Sequence, residues 1–174
     1  MLKTILTYGW IAGLIAGGLC FVSTTMLGER LPFGWAMALG YTTMLVALST
    51  IFLAVKRVRD KSPSGAIGFW RALGVGVAIT LIASLFYALG WECALATMGG
   101  SDAFITAYVA RLQAEGGDPA AVATQVRDME AMRASYANPL FRIPMSITEI
   151  APVGVLVSLV SAGLLRNPRA FPAR

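Results

Sequence analysis

NPLFRIPMSITEIAPVGVLVSLVSAGLL, from Asn138 to Leu165, is a membrane-length apolar segment with Arg142 near its start and a single acid, Glu149, further in. An acid at bilayer depth costs a few kcal/mol or more unless it is protonated, paired or turned toward a wet cavity, so Glu149 needs a local reason. Pro144 and Pro152 interrupt the same run. Pro152 offers no N–H to the Thr148 carbonyl, so a helix here is expected to kink and to leave a free acceptor beside Glu149. The segment reads as a transmembrane helix, and the fold class follows: an all-α, polytopic membrane protein.

Composition agrees. Hydrophobic residues make up 57% of the 174-residue chain and charged residues 13%, against about 25% charged in ordinary globular proteins. Mean hydropathy is +0.70. A chain this short forms one membrane domain, 1–174, whose packing is helix on helix. Histidine is absent, and the only cysteines, Cys20 and Cys93, form no C-x-x-C pair. Neither a Ser-His-Asp triad nor a Cys-His pair nor an H-E-x-x-H zinc site can be built. There is no G-x-x-x-x-G-K-[ST] or G-x-G-x-x-G phosphate loop. No cofactor, no metal and no catalytic residue is therefore expected.

Working outward, four spans are predicted, at about 5–26, 35–55, 72–97 and 141–165, each long enough for a ~30 Å hydrocarbon core. The first is expected to remain as a helix rather than to be a signal peptide, since Leu19 precedes Cys20 and no small-x-small cleavage site follows. Gly9, Gly13 and Gly17 give it a stripe almost free of side chains, suited to close approach by a helix of this chain or of another. In the third span Ala72, Gly76, Thr80, Ser84 and Ala88 make a second small-residue seam, and Gly154 gives the fourth span a matching small position. Gly28 to Gly34 reads as a tight turn. Lys56 to Gly65 reads as a basic loop.

The segment 101–137 has a different character. Phe104, Tyr108 and Leu112 recur at helical spacing, Gly116-Gly117 breaks the pattern, and Asp118-Pro119 restarts it as an N-cap with proline in the first turn. Val122, Val126, Met129, Met132 and Tyr136 then follow in steps of three or four. This predicts an amphipathic helical hairpin between spans 3 and 4. It could cover the mouth of the bundle, lie flat on the membrane or serve packing alone.

Charge sets the expected orientation. Lys3, Lys56, Arg57, Arg59, Lys61, Arg71, Arg166, Arg169 and Arg174 fall on one side with Asp60 as the only acid, while 101–142 carries four arginines against five acids. The basic side is expected to be cytoplasmic, with both termini there and the hairpin outside a bacterial inner membrane. Anionic lipid headgroups account for the net charge of +5, and no nucleic-acid partner is expected.

The Lys3 to Ile15 pattern, Arg59-Asp60-Lys61, Asn138-Pro139-Leu140-Phe141 and Glu149-Ile150-Ala151-Pro152-Val153-Gly154 resemble the bacterial membrane family known as domain of unknown function 4199. The resemblance extends over essentially the whole chain. It implies a four-helix inner-membrane protein and carries over no substrate and no catalytic residue.

Four polar groups are placed at membrane depth: Glu149, Glu92, Arg142 and Thr148. Glu149 should lie about 12 Å and Glu92 about 7 Å below the outer ends of their helices. At such depths the two carboxylates could share one proton, or Arg142, seven residues before Glu149 and on its face, could neutralise Glu92. Glu149 is read either as a packing acid or as part of a binding or transport site. Cys20 and Cys93 should lie at comparable depth, which permits a disulfide but favours free buried thiols. Three functional classes follow. The leading expectation is a non-enzymatic accessory or assembly subunit. The alternative is a small oligomeric transporter or lipid-binding protein using Glu149 and Glu92, and the least supported is an intramembrane enzyme. Expected partners are the lipid bilayer and a second copy or another membrane protein.

Overall fold

The computed structural model describes residues 1–27, 30–167 and 171–172. Among these residues the chain is all helical, without a strand. In order the helices are α1 (Leu2–Val22), α2 (Phe33–Leu48), α3 (Thr50–Asp60), α4 (Phe69–Thr97), α5 (Ser101–Glu115), α6 (Pro119–Tyr136) and α7 (Pro139–Leu165). Four stretches among them are long and apolar enough to cross a membrane: Leu2–Leu27, Gly34–Asp60, Phe69–Thr97 and Pro139–Leu165. Gly28 and Glu29 of the expected tight turn, and Arg169 and Arg174 of the basic side, lie outside the described residues.

Three boundaries differ from the sequence reading. The first span does not end as a plain α-helix but loosens into a π-helical turn over Ser23–Leu27. The hydroxyls of Ser23 and Thr25 bond to the carbonyls of Cys20 and Phe21 at 3.2 and 2.8 Å, competing for acceptors of the backbone ladder. The second span is two helices, broken at Ser49. There the hydroxyls of Ser49 and Thr50 reach the carbonyls of Val46 and Ala47 at 2.6 and 2.7 Å, the side-chain back-bonding that bends helices. The basic loop expected from Lys56 is helical through Asp60. A Lys56–Asp60 pair at 2.7 Å supports that last turn. Arg59 is only 1% exposed, with its guanidinium against Asp60 and the Phe171 carbonyl.

Helix α4 is the centre of the bundle, packed along α1 on one side and α7 on the other. The glycine stripe of α1 explains the first contact. A Cβ on Gly9 would meet Ile82 at 2.8 Å, one on Gly13 would meet the Phe86 ring at 2.6 Å, and one on Gly17 would run into the Phe86 carbonyl. Gly90 faces the Gly17 carbonyl in return, so the two backbones touch there. The stripe thus packs within this chain.

The second seam is formed by Gly76, Thr80 and Ser84 of α4 against Gly154 and Ser158 of α7, all buried. Gly76 lies on Ser158 and Gly154 on Thr80. The three hydroxyls bond to carbonyls four residues back in their own helices at 2.7–2.9 Å, so no polar group in the seam is left unpaired. Helix α7 stays continuous through Pro144 and Pro152.

Helices α5 and α6 pack on one another around Gly116 and Gly117, both at positive φ (72° and 129°), where glycine is needed. Asp118 caps α6 by accepting from Ala120 N at 3.2 Å. The apolar residues Val122, Val126, Met129, Met132 and Tyr136 are partly or fully buried, as their spacing predicts. Arg133 ties the pair together, reaching Asp102 on α5 and Glu130 on its own helix.

Candidate functional site

The two acids predicted at membrane depth have separate partners. Asn138 caps α7 through a 3.0 Å bond from Leu140 N, and Pro139 occupies the first turn. This start aims Arg142 back at the end of α6 and across at α4. Its Nε and Nη2 donate to Glu92 Oε1 and Oε2 at 2.8 and 2.6 Å, a bidentate pair. Nη1 donates to the carbonyls of Tyr136 and Ala137 at 2.6 and 3.0 Å, satisfying acceptors that the end of α6 leaves open. The guanidinium also lies 5.8 Å from the Tyr136 ring centroid. One side chain therefore joins α4, α6 and α7. Of the two expectations for Glu92, neutralisation by Arg142 is the one observed, and a proton shared with Glu149 gives way to it.

Glu149 instead accepts from the Tyr87 hydroxyl at 3.1 Å. It lines a cavity of about 300 Å³. The walls come from Cys20 at the end of α1, Ser23 and Thr24 of the π-helical turn, Gly40 and Met44 of α2, and Tyr87 and Trp91 of α4. From α5, Phe104, Tyr108 and Arg111 also line it, so α5 flanks the cavity. Burial pushes the Tyr108 phenol up from its ordinary value, which keeps it a neutral donor. Arg111 pairs with Glu115 at 2.7 Å and also donates to the Leu31 carbonyl, linking α5 to the start of α2.

A polar and aromatic cluster connects the cavity wall to the Arg142 pair. Trp91 Nε1 donates to the Tyr136 hydroxyl at 2.8 Å. Phe104 packs edge-on to Trp91 at 5.1 Å and stacks with Tyr136 at 6.3 Å. Burial first, opposed by the Trp91 bond and the Arg142 charge, leaves the Tyr136 phenol pushed up to about 12. It stays protonated at any ordinary pH.

Thr148 does not join the site: it is exposed, and its hydroxyl bonds to Met145 O at 2.7 Å in its own helix. Cys20 and Cys93 are both free. Cys20 is buried within reach of Tyr87 and Thr24, whereas Cys93 is exposed, against the expectation of two buried thiols. Sequence reasoning missed Tyr87 and Trp91. Their signal was a phenol and an indole one turn apart, the indole beside Glu92, groups that find hydrogen-bond partners when buried.

The model of the family described as "Protein of unknown function (DUF4199)" matches residues 8–167 of the chain. The chain belongs to the DUF4199 family. Neither a curated protein nor a solved structure matches it. In this DUF4199 chain the match takes in the Glu149 cavity, the Glu92–Arg142 pair and all four apolar stretches except the first residues of α1.

Proposed function

We propose that the chain is a non-enzymatic integral protein of the bacterial inner membrane that binds a small amphiphile in the Glu149 cavity. The observation that carries this reading is one carboxylate lining a cavity of about 300 Å³ between four apolar helical stretches. That volume is at the lower end of small-molecule sites, about 300–1,000 Å³. Both termini and the 56–71 segment are assigned to the cytoplasm and the α5–α6 hairpin to the outside. Supporting this, Met1 and Thr4 share one depression with Lys61 and Arg71, so the chain start and the basic segment lie at one end.

The accessory or assembly reading loses one support, because the α1 glycine stripe is taken up by α4. An intramembrane enzyme would need a second free carboxylate, and both oxygens of Glu92 are held by Arg142. A small oligomeric transporter would use the same cavity, with Pro152 weakening α7 three residues beyond Glu149.

Native mass spectrometry in nanodiscs tests the reading on the wild type, Glu149→Gln and Gly40→Phe. Gly40 lines the cavity, and a Cβ there meets nothing within 4 Å, so the branch point of a larger side chain starts in open space. The wild type is expected to carry a bound amphiphile that both variants lose while their circular dichroism is unchanged. A retained protein partner, identical in all three and with no amphiphile, would return the account to an accessory subunit.

A further inference from the structure

Glu149 lines the cavity as an exposed acid. Among the described residues no lysine or arginine forms an ion pair with it; Tyr87 bonds to Oε2, and no donor reaches Oε1. Arg111, the cationic side chain among the described lining residues, is engaged by Glu115 and the Leu31 carbonyl. Glu149 is exposed at the cavity, and an acid at this depth is tolerated where it is protonated, paired or turned toward such a space, which leaves its charge open to a cationic partner.

The same cavity is unusually aromatic. Tyr41, Tyr87, Trp91, Phe104 and Tyr108 line it together with Glu149. Aromatic faces present negative charge and attract ammonium groups, more strongly when water is excluded. Resting on the cavity-binding reading, we infer that the cavity takes an amphiphile with an organic ammonium headgroup, held by Glu149 and the surrounding aromatic faces. The cation supplies the charge that the described residues do not. The remaining lining, including Leu27, Met37, Leu39 and Met44, takes the apolar chain.

The test uses full-length protein in nanodiscs of zwitterionic lipid and three probes of one chain length: decyltrimethylammonium, decyl glucoside and decanoate. Binding is read by equilibrium competition against radiolabelled decyltrimethylammonium. The ammonium should bind about tenfold tighter than the glucoside, since an ion pair and a cation–π contact act together. Glu149→Gln should abolish the preference. Gly40→Phe should weaken all three probes.

Equal binding of ammonium and glucoside, or a preference for decanoate that survives Glu149→Gln, would overturn the headgroup assignment and leave the cavity reading standing. Failure of every probe to bind, in wild type as in Gly40→Phe, would overturn both. The wild-type series alone decides the headgroup class if a variant fails to fold.

Discussion

Arg142→Met is expected to cost about 2–3 kcal/mol of stability, below the ~3–5 kcal/mol for breaking a fully buried ion pair because the Glu92 side chain is 23% exposed. Arg142 is 7% exposed, and its loss strands the Glu92 carboxylate and two carbonyls at the end of α6. Arg142→Lys should recover little, because an ammonium cannot hold both Glu92 oxygens and those carbonyls together. The double variant Glu92→Met/Arg142→Met should recover most of the loss, since it leaves no buried charge alone. Thermal unfolding in one detergent, run as a double-mutant cycle, provides the comparison. Equal and additive losses would mean that the pair contributes nothing as a pair.

The second large effect separates two adjacent glycines. Gly17→Ala places a methyl on the Phe86 backbone carbonyl, an obstacle that cannot rotate away, and should cost at least the ~1–3 kcal/mol typical of overpacking. Gly18→Ala meets nothing within 4 Å and should be neutral or stabilising by roughly 0.5–1 kcal/mol, since alanine favours a helix over glycine. The same unfolding assay reads both. Like effects at the two positions would contradict the α1–α4 backbone contact.

The four apolar stretches were legible because length and hydropathy decide them with no tertiary information. The small-residue seams were legible for a similar reason: a stripe free of side chains is useful only against another helix. Arg142 and Glu92 could be matched because opposite charges at similar depth have few other partners. What the pattern concealed was polar chemistry on apolar helices. Tyr87 and Trp91 count as membrane-compatible aromatics in any hydropathy window, and only the α4–α7 crossing sets the Tyr87 hydroxyl against Glu149. Arg59 reads as part of a basic loop, yet it is buried against Asp60 and the Phe171 carbonyl, a contact across most of the chain. The break at Ser49 and the π-helical turn depend on which carbonyl a hydroxyl selects, and sequence spacing does not determine that.

Two acids of one helical bundle stand in different settings: Arg142 holds Glu92 between helices, and Glu149 lines the cavity proposed to take a ligand. Carbodiimide labelling of the intact protein in nanodiscs, mapped by peptide mass spectrometry, tests it most directly. The account predicts modification at Glu149 but not at Glu92, and protection of Glu149 when decyltrimethylammonium is bound. Modification at Glu92 with Glu149 unreactive would contradict it.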